Sequence, residues 1–170
     1  MNSSTTPPPP LPTPTPNTGI LGEQLVAQWL QAQGWEILQQ RWRCQWGEID
    51  LIVQQIASNC QLAFVEVKTR SQGNWDADGL LAITPQKQAK IWQTAKLFLS
   101  AHPELVDLPC RFDVALVRCQ RISPKLKQKE QQSDRSSASP KVVLGQPFFA
   151  DGYQLILQDY IDSAFDCFEL

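Results

Sequence analysis

Glu66 and Lys68 stand two residues apart inside an apolar, strand-like run, Phe64-Val65-Glu66-Val67-Lys68. Strand positions i and i+2 share a face, so the carboxylate and the amine lie side by side while Val65 and Val67 turn the other way. Upstream, Glu48 and Asp50 repeat the spacing. If the two strands pair with these faces aligned, three carboxylates and an ammonium converge. Like charges opposite one another across a sheet are destabilising. A divalent cation removes that conflict, because Mg²⁺ favours a few carboxylates, backbone oxygens and retained waters. Lys68 beside it could orient or deprotonate a water while the metal stabilises charge developing on a phosphate. These are the parts that phosphodiester hydrolysis needs. The bland alternative is a charged strand face in solvent. Ile52 and Phe64 fall on the same face and set the charges among apolar neighbours, which favours a site. The pattern [Asp/Glu]-x-Lys occurs nowhere else in the chain.

The elements that must position these groups are legible from periodicity and caps. Asn17 or Thr18 caps a helix over 20–33, with Ile20, Leu21, Leu25, Val26, Trp29 and Leu30 at helical spacing and Gly34 as its stop. Strands are predicted at 35–43, 49–53 and 62–69, the last antiparallel to the second across a polar loop at 54–61. Residues 70–83 form a long loop. Thr84 caps and Pro85 opens a helix over 85–101, with Ile91, Ala95, Leu97, Phe98 and Leu99 on its apolar side. Another strand follows at 111–119, and VVLGQPFF and YQLILQDYI each supply a late strand or hairpin. The order α-β-β-β-α-β predicts a mixed β-sheet flanked by helices, an α/β domain.

Residues 1–17 are rich in Pro, Thr and Ser and predict a disordered, partly polyproline-II tail. Residues 18–170 predict a single domain interrupted at about 120–141 by a low-complexity insertion. Six basic residues against Glu130 and Asp134 give 121–141 a charge of +4, so the remainder carries −6 of the total −2. An acidic body is a poor general polyanion binder, so contact with phosphates falls to metal ions and a few local basic groups. No run of eighteen apolar residues predicts a membrane span, and the N-terminus does not read as a secretory signal. Five cysteines without a CxxC pair fit reduced thiols in a cytoplasm. His102 alone builds neither a His-based triad nor a His-metal site.

Gly-Glu-Ile-Asp-Leu-Ile (47–52), Phe-Val-Glu-Val-Lys-Thr-Arg (64–70) and Arg-Phe-Asp-Val (111–114) together resemble the YraN-like uncharacterised protein family 0102. That family is grouped with the restriction-endonuclease-like, PD-(D/E)XK superfamily, which includes archaeal Holliday-junction resolvases. The resemblance runs from Gly22-Glu23 to about Arg118 and resumes at 161–165. It implies a restriction-endonuclease-like fold. It matches Asp50, Glu66 and Lys68 to the nuclease triad and Glu23 to the acid of the first helix, although Glu23 also suits a helix N-terminus. Lys87, Arg111 and Asp113 match further family positions.

The metal set is then Asp50, Glu66 and the Val67 carbonyl, with Glu48 a further candidate, and the cofactor Mg²⁺ or Mn²⁺. Arg70, Lys87 and Arg43 are the candidate nucleic-acid contacts. Arg70 can equally be a solvated strand-end residue, and Lys87 opposes the dipole of its helix. Trp42, Trp46 and Trp75 can stack on bases or pack on the domain. Arg111 and Asp113 share a face and are read as a structural pair. The leading expectation is a metal-dependent endonuclease acting on DNA, at branched or flapped structures, as a homodimer if it is a resolvase. The alternatives are a non-catalytic binder of nucleic acid or a repair partner, and a scaffold docked through its Pro-rich tail.

Overall fold

A computed structural model describes residues 17–55, 60–71, 83–122 and 141–166. Residues 1–16 of the expected tail, 72–82 of the expected loop with Trp75, and 123–140 of the insertion lie outside these residues. The elements are α1 (Thr18–Ala32), β1 (Trp35–Cys44), β2 (Gly47–Gln55), β3 (Gln61–Ser71), α2 (Pro85–Ala101), β4 (Cys110–Arg121), β5 (Pro147–Ala150) and β6 (Tyr153–Phe165). The expected α-β-β-β-α-β order holds, and the late hairpin is β5–β6.

Both helices start where their caps predict. The Asn17 side chain accepts from Gly19 N, and Thr84 Oγ1 accepts from Lys87 N ahead of a Pro85 that needs no donor. The strands form one six-stranded mixed sheet in the order β1-β2-β3-β4-β6-β5. β2 and β3 are antiparallel, as expected. β3 and β4 are parallel, with α2 lying in the connection between them. β3 extends past its predicted end by pairing Arg70 with Arg118 and Ser71 with Cys119, and β4 past its own by pairing Gln120 with Gln154 and Arg121 with Tyr153 of β6.

Two apolar clusters separate the helices onto opposite faces. Leu21, Leu25, Val26 and Leu30 of α1 pack on Leu51, Val53, Val65, Ala115 and Val117. Ile91, Ala95 and Phe98 of α2 pack on Ile52, Leu62, Phe64, Phe112 and Val114. Leu97, expected on the apolar side of α2, is 39% exposed. The buried stripe is narrower than the apolar one, and Thr94 is buried in it, with its hydroxyl donating to the Lys90 carbonyl at 2.7 Å. Among the described residues, no helix is long and apolar enough to cross a membrane.

Candidate active site

β3 carries Glu66 and Lys68 on the face of Phe64, toward α2. Glu66 is 5% exposed, and Lys68 Nζ donates to its Oε1 at 2.6 Å. A buried carboxylate needs such a partner, because an unpaired charge there would be expensive. A second ammonium reaches the same oxygen: Lys87 Nζ, from the first turn of α2, lies 3.2 Å from Glu66 Oε1.

Strict alternation along β2 would put Ile49 and Ile52 on opposite faces. Ile49 and Ile52 share the α2-side cluster while Leu51 and Val53 share the α1-side cluster, so the alternation slips at Asp50. The β2–β3 ladder also ends at Leu51↔Val65. Beyond that last pair, Asp50 Oδ2 accepts from Val67 N at 2.7 Å, and a side chain satisfies the β3 donor that the parting strand leaves behind. Burial first, and the neighbouring Glu66 charge second, raise the Asp50 carboxyl to about pKa 7, against the lowering pull of the Val67 N–H.

On the other edge of β2, the β1 pairing steps from Gln40↔Leu51 to Trp42↔Ile49, passing over Arg41 and Asp50. Arg41 has φ +52°, a left-handed conformation uncommon outside glycine, asparagine and aspartate. Its Nε meets Glu48 Oε1 at 3.0 Å and Glu23 Oε2 at 3.6 Å. Arg43 closes on the other Glu48 oxygen at 2.9 Å. Burial works to raise the Glu48 carboxyl, but the hydrogen bonds from Arg43 and Arg41 outweigh it and hold the group below its ordinary range. Glu48 is thus engaged by arginines.

Glu23 comes to the site because α1 approaches β3 closely at Gly22. A Cβ at Gly22 would sit 1.9 Å from Thr69 Oγ1, a distance no side chain tolerates. Burial raises the Glu23 carboxyl, Arg41 opposes that, and the charges of Glu48 and Glu66 add to the rise. Glu23, Asp50 and Glu66 therefore lie within electrostatic reach of one another.

The remaining candidates separate from this group. Arg70 lines a cavity of about 320 Å³ with Thr18, Thr69, Ser71 and Cys119, and Asp50, Glu66 and Lys68 are not among its lining residues. Arg43 is committed to Glu48. Trp42 is half-buried against the α2-side cluster, edge-on to Phe98. Trp46 is 49% exposed beside Trp92 and Lys96. Arg111 and Asp113 pair at 3.1 Å, and the buried Asp113 also accepts from Tyr160 Oη at 2.6 Å and Ser163 N at 3.0 Å. His102 stacks on Phe98, with Nδ1 2.9 Å from the Phe98 carbonyl. Arg41 was not singled out by its sequence context. Its adjacency to Glu48 across the β1–β2 turn is the only signal that points to it.

Among the described residues, no group of three or more His, Cys, Asp or Glu side chains is arranged to hold a metal ion. Mg²⁺ and Mn²⁺ take one or two carboxylates and fill the rest of their shell with water and substrate oxygen. Asp50 and Glu66 would supply two hard oxygen donors of that kind, and burial first, the Glu66 charge second, raise the Asp50 carboxyl.

Comparison with known proteins agrees on one family. The profile of the uncharacterised protein family UPF0102 matches residues 22–117. A UPF0102 protein of Trichodesmium erythraeum is 52% identical over 159 residues, covering 88% of each chain. A UPF0102 protein of Acaryochloris marina is 50% identical over 171 residues, covering 97% of this chain and 99% of its own. One from Synechocystis sp. is 48% identical over 147 residues, covering 86% of this chain and 96% of its own.

Proposed function

The chain belongs to the uncharacterised protein family UPF0102, and on that footing we propose that it is a cytoplasmic, metal-dependent endonuclease that hydrolyses DNA phosphodiesters. The observation that carries this reading is the meeting of Asp50, Glu66 and Lys68 where β2 parts from β3, with Asp50 pinned to Val67 N at 2.7 Å and Lys68 to Glu66 at 2.6 Å. A structural ion pair would account for Glu66 and Lys68. It would not account for a second, buried carboxyl beside it, which burial first and the Glu66 charge second raise to about pKa 7.

Asp50, Glu66 and the Val67 carbonyl would hold Mg²⁺ or Mn²⁺. When bound, that cation supplies charge neutralisation at the scissile phosphate and acidifies water. Lys68, fixed by Glu66, orients the attacking water toward phosphorus. Glu23 receives or relays a proton through water, and Arg41 holds it in place from β1. The Gly22–Thr69 contact sets the depth at which α1 delivers that carboxylate. Branched or flapped DNA is the proposed substrate, and a homodimer would present two such sites to a four-way junction.

The test is a panel of single-stranded, duplex, flapped and four-way-junction DNA, each with Mg²⁺, Mn²⁺ or EDTA. Metal-dependent cutting of one form names the substrate class. Tight, metal-independent binding without cutting would replace this reading with that of a non-catalytic DNA-binding module.

A further inference from the structure

We infer that Lys87 is a stand-in for the divalent cation: in the metal-free protein its ammonium neutralises Glu66, and it yields that carboxylate when the cation enters. The inference rests on the reading of Asp50 and Glu66 as the cation's ligands.

Two ammonium groups converge on one oxygen, Lys68 at 2.6 Å and Lys87 at 3.2 Å from Glu66 Oε1. A single carboxylate does not need two cations, and the two lysines repel each other. The second is explained by the surplus of negative charge around it. Asp50 and Glu23 both feel Glu66, and Glu23 also feels Glu48. Four carboxylates (Glu23, Glu48, Asp50 and Glu66) stand against Arg41, Arg43, Lys68 and Lys87, a group balanced to zero. Adding a divalent cation upsets that balance by two charges, so one resident cation should leave.

Lys87 is the one built to leave. Arg41 and Arg43 are hydrogen-bonded to Glu48. Lys68 shares a strand face with Glu66 and makes the shorter contact. Lys87 makes the longer contact, and its side chain is more exposed, 37% against 26% for Lys68. It also sits in the first turn of α2, where a cation opposes the helix dipole, so Glu66 is what holds its ammonium there. Losing a partly exposed ion pair is cheap enough for a divalent ion to outbid it.

The experiment uses the full chain and Mn²⁺ itself as the probe, with free Mn²⁺ followed by electron paramagnetic resonance. Wild type, Lys87→Gln and Lys90→Gln are titrated; Lys90 is an exposed lysine on the same helix and controls for the simple loss of charge. Melting temperatures are read in EDTA and in saturating Mn²⁺. Lys87→Gln should bind Mn²⁺ about tenfold tighter than wild type, and Lys90→Gln within about twofold of it. Lys87→Gln should melt below wild type in EDTA and level with it in saturating Mn²⁺. Equal tightening in both variants, or a melting deficit that persists with Mn²⁺, would overturn the exchange while leaving the cation site standing. Failure of every form to take up Mn²⁺ would remove the cation site, and the exchange with it.

Discussion

Asp50 Oδ2 accepts the Val67 amide at 2.7 Å, immediately past the last β2–β3 ladder pair. One side chain thereby ends a sheet pairing and aims a carboxylate at the Glu66–Lys68 pair. The placement opposes folding once pH is high enough to ionise Asp50, because burial first and the neighbouring Glu66 charge second disfavour its carboxylate.

That cost is measurable. A carboxyl whose folded pKa stands above its unfolded one binds its proton more tightly in the native state, so its charged form destabilises. For Asp50 the penalty is absent below about pH 4 and grows until pH reaches about 7. Asp50→Asn should therefore raise stability at pH 8 in EDTA, on the order of 2 kcal/mol, with the gain vanishing near pH 4. Denaturant melts at both pH values check it. An equal effect at both would show that Asp50 charge is not the cause.

Metal uptake should carry the mirror-image dependence. Asp50 must be deprotonated to bind a cation, so Mn²⁺ affinity of the wild-type chain should rise between about pH 5 and pH 8. Calorimetric titrations in two buffers of different protonation enthalpy would reveal a proton released on binding below pH 7. Affinity that is flat with pH would detach Asp50 from the ion.

Close helix–strand approach predicts intolerance at Gly22. Gly22→Ala would drive a Cβ into Thr69 Oγ1 and should cost roughly 1–3 kcal/mol. Thr69→Ala added to Gly22→Ala should recover much of that loss, since it removes the clashing hydroxyl. That hydroxyl is also buried without a hydrogen-bond partner. Additive losses in the double variant would mean the two sites are not in contact.

Arg41 should respond to substitution according to backbone as well as charge. At φ +52°, Arg41→Gly relaxes the left-handed strain while Arg41→Ala keeps it, so the glycine variant should be the more stable of the two. Both variants free Glu23 of its Arg41 contact, leave Glu48 with Arg43 and remove the same positive charge, so the two should bind Mn²⁺ alike. A glycine variant less stable than the alanine variant would contradict the strain.

The Asp113 network is expected to be purely structural. Tyr160→Phe removes a 2.6 Å hydrogen bond to a buried carboxylate and should cost roughly 1.5–3 kcal/mol, with Mn²⁺ affinity unchanged. A change in affinity would bring this network into the site.

Much of this arrangement was legible in residue types. The Thr84-Pro85 cap, the antiparallel β2–β3 pair and the Glu66–Lys68 pairing on one strand face follow from local patterns. Three features do not. The slip at Asp50 arises because β2 and β3 part company there, which depends on the neighbours across the sheet and not on the alternation within one strand. Arg41 carries a left-handed φ without being glycine, so no residue signal announces the irregularity. Lys87 reaches Glu66 only because α2, after a long connection, sets its first turn over β3, and that placement is tertiary. Leu97 failed for the opposite reason, since an apolar residue at helical spacing need not be covered.

The central claim is that Asp50, Glu66 and Lys68 form a hydrolytic centre, and the most direct measurement is the Mn²⁺-dependent cleavage rate of labelled DNA by wild type, Glu66→Ala and Lys68→Ala at equal purity. Cleavage by the wild type, abolished in Glu66→Ala and reduced about 10²-fold or more in Lys68→Ala, is the predicted result. Cleavage that survives both substitutions, or a wild type that cuts none of the DNA forms with any metal, would contradict it.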